Sequence, residues 1–160
     1  MTHTHHLSVP ARFDQLARLT AFAVESARIV GFDKPQLDRI ELAVDEACSN
    51  IIEHAYAGSD SHESRIDIEV ETEPSHYIKI VLTDTGKAFE PDKVPAYVPC
   101  THETDISNLK VGGLGIHLMR QAMDEVCFEF NVRDTDADAS VRASNGKTGV
   151  FNRLTLIKRL

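Results

Sequence analysis

Cysteine is scarce in this chain: Cys48, Cys100 and Cys127 are the three in 160 residues. They are odd in number and widely spaced. That gives neither a zinc-ligand spacing nor a paired disulfide framework, and predicts a reducing cytoplasm as the setting. No apolar run approaches the ~18–20 residues needed to cross a bilayer, so no membrane partner is expected. The opening residues, Met-Thr-His-Thr-His-His, lack the apolar core of a signal peptide. His3, His5 and His6 have no carboxylate or cysteine beside them, so a frayed terminus is expected there rather than a metal site. Basic charge is also in short supply. There are 17 Lys and Arg against 25 Asp and Glu, a formal net charge of -8. A broad nucleic-acid surface is excluded, because neutralising phosphates takes clustered cations. A small basic pocket for a nucleotide is not. With no internal repeat and no linker-like stretch, residues 1–160 are expected to form one domain, long enough to bury a core without staples.

What is present is a clear change of period. From Phe13 the apolar residues Leu16, Leu19, Phe22, Ala23, Ala27 and Val30 recur at helical spacing, and Gly31 stops them. Asp33 and Pro35 mark a second helix start, whose stripe runs through Leu37, Ile40, Val44, Ala47 and Ile51 to about Ala55. Ile66, Ile68 and Val70, then Ile78, Ile80 and Leu82, alternate with polar residues around Glu73-Pro74-Ser75, the pattern of an antiparallel hairpin. Residues 85–111 show no period and contain Pro91, Pro95 and Pro99; a loop of that length is usually functional or mobile. A short helix over Leu114–Met123, a strand around Val126, Phe128 and Phe130, a polar stretch over 134–148 and a last strand from Phe151 to Ile157 complete the chain. His6–Val9 is a candidate edge strand. This order predicts an α+β two-layer sandwich, with helices on one face of a mostly antiparallel sheet.

Three segments carry chemistry. In DEACSNIIEHAY, Glu46 and Asn50 lie one helical turn apart beside the apolar margin. An amide oxygen suits Mg²⁺, and a carboxylate one turn away suits the removal of a proton from an attacking hydroxyl. The strand ending at Asp84-Thr85-Gly86 offers an acceptor-only carboxylate able to take a hydrogen bond from the amine of adenine. Gly86 permits close backbone approach to a flat ring, and Phe89 and Pro91 follow. In VGGLGIHLMRQAMDEV, Gly112, Gly113 and Gly115 precede or open a helix, where free amides and the helix dipole favour an anion such as a triphosphate. Lys110, just before that loop, is within reach of a phosphate or of solvent alike. Neither a Walker loop nor a Rossmann fingerprint is present. Taken singly, the three segments are equally the marks of a solvated helix face, a turn and a flexible helix entry.

Together, in this order, they resemble the GHKL ATPases, and within them the RsbW-type anti-sigma factor serine kinases. Glu46 and Asn50 match the N-box. Asp84, Gly86, Phe89 and Pro91 match the G1 box, D-x-G-x-x-F-x-P. Gly112, Gly113, Leu114 and Gly115 match the G2 box. The resemblance implies the Bergerat ATP-binding fold and a cytoplasmic protein. Asn50 would hold Mg²⁺, Asp84 would read adenine, Gly112–Gly115 would wrap the phosphates of ATP, and residues 91–111 would form a lid. Glu46 would be the base for transfer of the γ-phosphate to a serine of an anti-anti-sigma (STAS-domain) partner. A sigma factor as second partner and homodimerisation are further implications. The alternatives are a nucleotide-gated switch without kinase activity, and a partner-switching component that controls a phosphatase. The long polar 134–148 segment would then reshape the partner surface.

Overall fold

The computed structural model describes residues 1–55, 64–86, 97–98, 113–133 and 150–160. Strand β1 (His3–Pro10) leads through a 3-10 turn into helix α1 (Leu16–Val30). Helix α2 (Lys34–Asn50) follows and continues as a π-helical turn over Ile51–Ala55. Then come β2 (Arg65–Glu73), β3 (Tyr77–Asp84), the two-residue β4 (Tyr97–Val98), α3 (Gly113–Ala122), β5 (Glu125–Arg133) and β6 (Val150–Arg159).

The helix ends follow from their residues. α1 stops where Gly31 enters the left-handed region at φ 105°, its amide bonded to Arg28 O; a side chain is disfavoured there. α2 starts at a reciprocal cap. Gln36 N–H donates to Asp33 Oδ1 at 2.9 Å, and Asp33 N–H donates to Gln36 Oε1 at 3.0 Å, with Pro35 in the first turn. Asp33→Ala removes one orphan amide's acceptor. It is expected to lower stability by about 1 kcal/mol, a fall in melting temperature of roughly 2–4 °C. An unchanged urea midpoint would show that the cap is dispensable.

The sheet runs β1-β2-β3-β6-β5-β4, and every neighbouring pair is antiparallel. The period of two puts Ile66, Ile68 and Val70 of β2, Ile78, Ile80 and Leu82 of β3, and Leu154 and Leu156 of β6 on the buried face. There they join Leu19, Ala23, Ile40, Val44 and Met119 from the helices in one core. The fold is the α+β sandwich expected, with helices layered on an antiparallel sheet. Asp84 keeps the parity of Ile80 and Leu82, so register places it at the end of an apolar row. It stands opposite Ile66 on one side and Asn152 on the other.

Four expectations are revised. His3, His5 and His6 are not a frayed end: β1 begins at His3, opposite Thr72, because β2 runs on to Glu73 and offers a backbone ladder along its whole length. Within the unperiodic stretch, Tyr97 and Val98 pair with Glu129 and Phe128. The third helix begins at Gly113 and ends at Ala122. Cys127 is in a disulfide and Cys48 is a buried free thiol, so the partner of Cys127 lies outside the described residues; distance along a chain does not measure distance across a sheet. Among the described residues no helix is long and apolar enough to cross a membrane.

Candidate functional site

The C-terminal half of α2 meets the first turn of α3 at close range. Gly115 is buried, and a Cβ built on it would lie 2.7 Å from Glu46 Oε2 and 3.4 Å from Asn50 Nδ2. Only a glycine fits there without displacing the carboxylate. The start of α3, the end at which a helix leaves amides without intrahelical partners, is thereby held against Glu46 and Asn50. Both side chains are half-buried, and neither has a hydrogen-bond partner among the described residues. They are polar groups at the protein boundary, free to meet a ligand.

Asn50 also lines a cavity with Ala47 of α2, Ile51 of the π-helical turn, Asp84 of β3, Met119 of α3, Phe128 and Phe130 of β5, and Asn152 and Arg153 of β6. The floor is apolar, and Phe128 and Phe130 lie nearly parallel with centroids 6.0 Å apart. A flat ring suits such a surface. Asp84, 6% exposed, is the carboxylate at its edge. Gly86 N–H donates to Asp84 Oδ1 at 3.0 Å and Asn152 Nδ2 donates to the same oxygen at 3.1 Å. Oδ2 has no partner among the described residues. Burial pushes the Asp84 carboxyl above its ordinary value, and the bonds from Asn152 and Gly86 pull the other way. Cys48, next to Ala47, is no nucleophile: burial, then the nearby Asp45 carboxylate, raise its thiol to about 12.

Glu46, Asn50, Asp84, Gly86 and Gly115 are thus brought to one region, and Gly113 and Leu114 stand in the first turn of α3. Phe89, Lys110, Gly112 and most of the expected lid at 91–111 lie outside the described residues. Sequence reasoning missed Asn152 and Arg153. Arg153 forks onto Glu129 at 2.6 and 3.1 Å and stands over the Phe151 ring at 5.9 Å. No spacing signals either residue, since both depend on β6 lying between β3 and β5.

The sequence profile described as the Histidine kinase-like ATPase domain matches residues 9–144. Serine-protein kinase RsbW of Bacillus pumilus (strain SAFR-032) is 30% identical over 128 residues, covering 78% of this chain and 77% of that protein. The protein of the same name from Oceanobacillus iheyensis is 31% identical over 123 residues, covering 75% of each. That from Bacillus subtilis (strain 168) is 32% identical over 123 residues, covering 75% of this chain and 74% of its own. The span of the family profile includes α2, β3 and α3. The chain therefore belongs to the histidine kinase-like ATPase family and, within it, to the RsbW-type serine-protein kinases.

Proposed function

We propose that this protein is an ATP-dependent serine-protein kinase and anti-sigma factor of a partner-switching pathway, and that residues 1–160 act as one ATPase domain. Its target is a serine of a STAS-domain anti-anti-sigma protein, and its second partner is a sigma factor. The observation that carries the reading is the seat of Gly115 directly over Glu46 and Asn50. It joins a helix N-terminus suited to phosphates with a carboxylate and an amide suited to phosphoryl transfer.

The base of ATP lies on the apolar floor formed by Phe128, Phe130 and Met119, and Asp84 Oδ2 accepts from its exocyclic amine. The phosphates run toward Gly113, Leu114 and Gly115; Phe89, Lys110, Gly112 and most of the 91–111 stretch, which the resemblance assigns to the nucleotide site, lie outside the described residues. Asn50 fits as the protein's ligand to Mg²⁺: its side chain is unpartnered among the described residues and faces the cavity. One protein oxygen is enough for an ion that keeps its waters and takes phosphate oxygens. When bound, the ion neutralises charge on the phosphates. Glu46 takes the proton of the incoming serine hydroxyl; the serine oxygen bonds to the γ-phosphorus, the bond from that phosphorus to the β,γ-bridging oxygen breaks, and ADP leaves.

Calorimetric titration with MgATP, followed by incubation of labelled ATP with the STAS-domain protein recovered by ATP-dependent capture, tests this. Label on a serine of that partner is expected. Tight nucleotide-dependent capture without label would instead make the protein a nucleotide-gated switch, and absence of any heat in folded protein would remove the nucleotide site altogether.

Gly115→Ala sets two effects against each other. Within a helix the change favours folding by up to about 1 kcal/mol. The new methyl, however, displaces the Glu46 carboxylate, which is the movable end of a side chain. A melting temperature held or raised is expected, with phosphate transfer down at least about tenfold, since misplacing a reacting group by an ångström is costly. Unchanged transfer would show that the contact has no part in the chemistry.

A further inference from the structure

Asn152 stands opposite Asp84 in the β3–β6 ladder and is 7% exposed. Leu154 and Leu156 continue the same row, so a residue chosen for packing alone would be apolar here. Burying an amide is unfavourable unless its hydrogen bonds are made, and those of Asn152 are made toward the site. Nδ2 donates to Asp84 Oδ1 at 3.1 Å and to Gly86 O at 3.1 Å, while Oδ1 accepts from Asn131 N–H at 3.2 Å. Two acceptors on one side and a donor on the other leave one orientation for the amide. Asn131 has φ 53° at the irregularity between Glu129 and Val132, so the backbone bends to bring that N–H to the amide. One side chain thus ties β5 and β6 to the carboxylate and to the glycine that follows it.

We propose that Asn152 is a positioning residue for nucleobase selection: by occupying Asp84 Oδ1 it leaves Oδ2 as the free acceptor, and so sets the preference for a purine carrying an exocyclic amine over one carrying a carbonyl at the same position. The inference rests on the reading of Asp84 as the contact to that amine. An acceptor-only group welcomes an N–H and repels a carbonyl oxygen; a protonated carboxyl has lost that discrimination. Burial favours the protonated form, and the Asn152 donor opposes it. The charged group that lines the same cavity as Asp84 is Arg153 of β6, and it is paired with Glu129 of β5; β2 presents Ile66 and α3 presents Met119. Among the described residues, no cation from these elements forms an ion pair with Asp84, so two neutral donors, the Asn152 amide and the Gly86 N–H, hold it charged.

The test compares MgATP with MgITP, in which a carbonyl replaces the exocyclic amine and the adjacent ring nitrogen carries a proton, by calorimetry from pH 6 to pH 8.5 on the full chain. Wild-type protein is expected to prefer ATP by at least about tenfold, with a ratio flat across the range. Asn152→Leu and Asn152→Ala lose the donor that fixes the carboxyl; the ratio is expected to fall to within about threefold, through weaker ATP binding rather than a change in ITP binding. The Ala variant leaves room for water and carries the test where the Leu variant does not fold. Equal weakening of both nucleotides at every pH would overturn the proposal and leave Asn152 a purely structural tie. Wild-type protein that binds both nucleotides equally would instead overturn the reading of Asp84, and the proposal with it.

Discussion

Glu46→Gln is expected to leave the affinity for MgATP within about threefold of wild type and to lower the single-turnover rate of phosphate transfer by about 10²- to 10⁴-fold, the range for loss of a general base. The glutamine has the same shape, so it keeps the contact with Gly115 that seats α3. What it removes is the capacity to take a proton. Glu46 is half-buried, with no hydrogen-bond partner among the described residues, so its carboxylate has no structural duty that glutamine would abandon. Phosphoryl transfer passes through a loose transition state in which the nucleophile's proton leaves late, which points to the lower part of that range. Transfer at the wild-type rate with wild-type binding would assign Glu46 to packing and leave catalysis to positioning alone.

The parts of this protein that can be read from sequence are those written locally. The Gly31 stop, the Asp33 and Pro35 start and the alternation on either side of Glu73-Pro74-Ser75 are features of consecutive residues, and the structure shows each of them. The reciprocal cap with Gln36, three residues beyond Asp33, is equally local. What could not be read is the order of the strands. β6 inserts between β3 and β5, and with that one fact Asn152 falls opposite Asp84, 68 residues away, and Arg153 meets Glu129. Hydrophobic period fixes which face a residue takes, while its cross-strand neighbour is set by pairing between distant segments. The candidate site divides in the same way. Glu46 and Asn50 share a helix face by arithmetic, whereas their approach to Gly115 needs α2 and α3 to pack. That three motifs weak on their own gave a usable reading came from their joint order along the chain.

Asp84→Asn separates binding from folding. Asparagine keeps an oxygen to accept from Gly86 N–H and Asn152 Nδ2, and turns a donor into the pocket where Oδ2 was. The amine of adenine would then meet an N–H. Loss of one hydrogen bond to a charged acceptor is worth about 1.5–3 kcal/mol, or roughly 10- to 150-fold in Kd, before any donor–donor repulsion is counted. MgATP binding is therefore expected to weaken by about 10²-fold or more, and MgITP, with its carbonyl, to become the better ligand. The fold should move the other way. Burial raises the Asp84 carboxyl above its unfolded value, so folding takes up protons at this group. Its favourable contribution is complete below the ordinary carboxylate range and is lost as pH rises through the higher folded value. Once Asp84 ionises, the folded protein carries a buried charge that asparagine does not. The variant should thus melt at a temperature equal to or above wild type at pH 7, and the difference should vanish toward pH 3, where both side chains are neutral. A variant that melted lower at pH 7 and still bound MgATP tightly would make Asp84 a structural anchor and leave the adenine contact to another group.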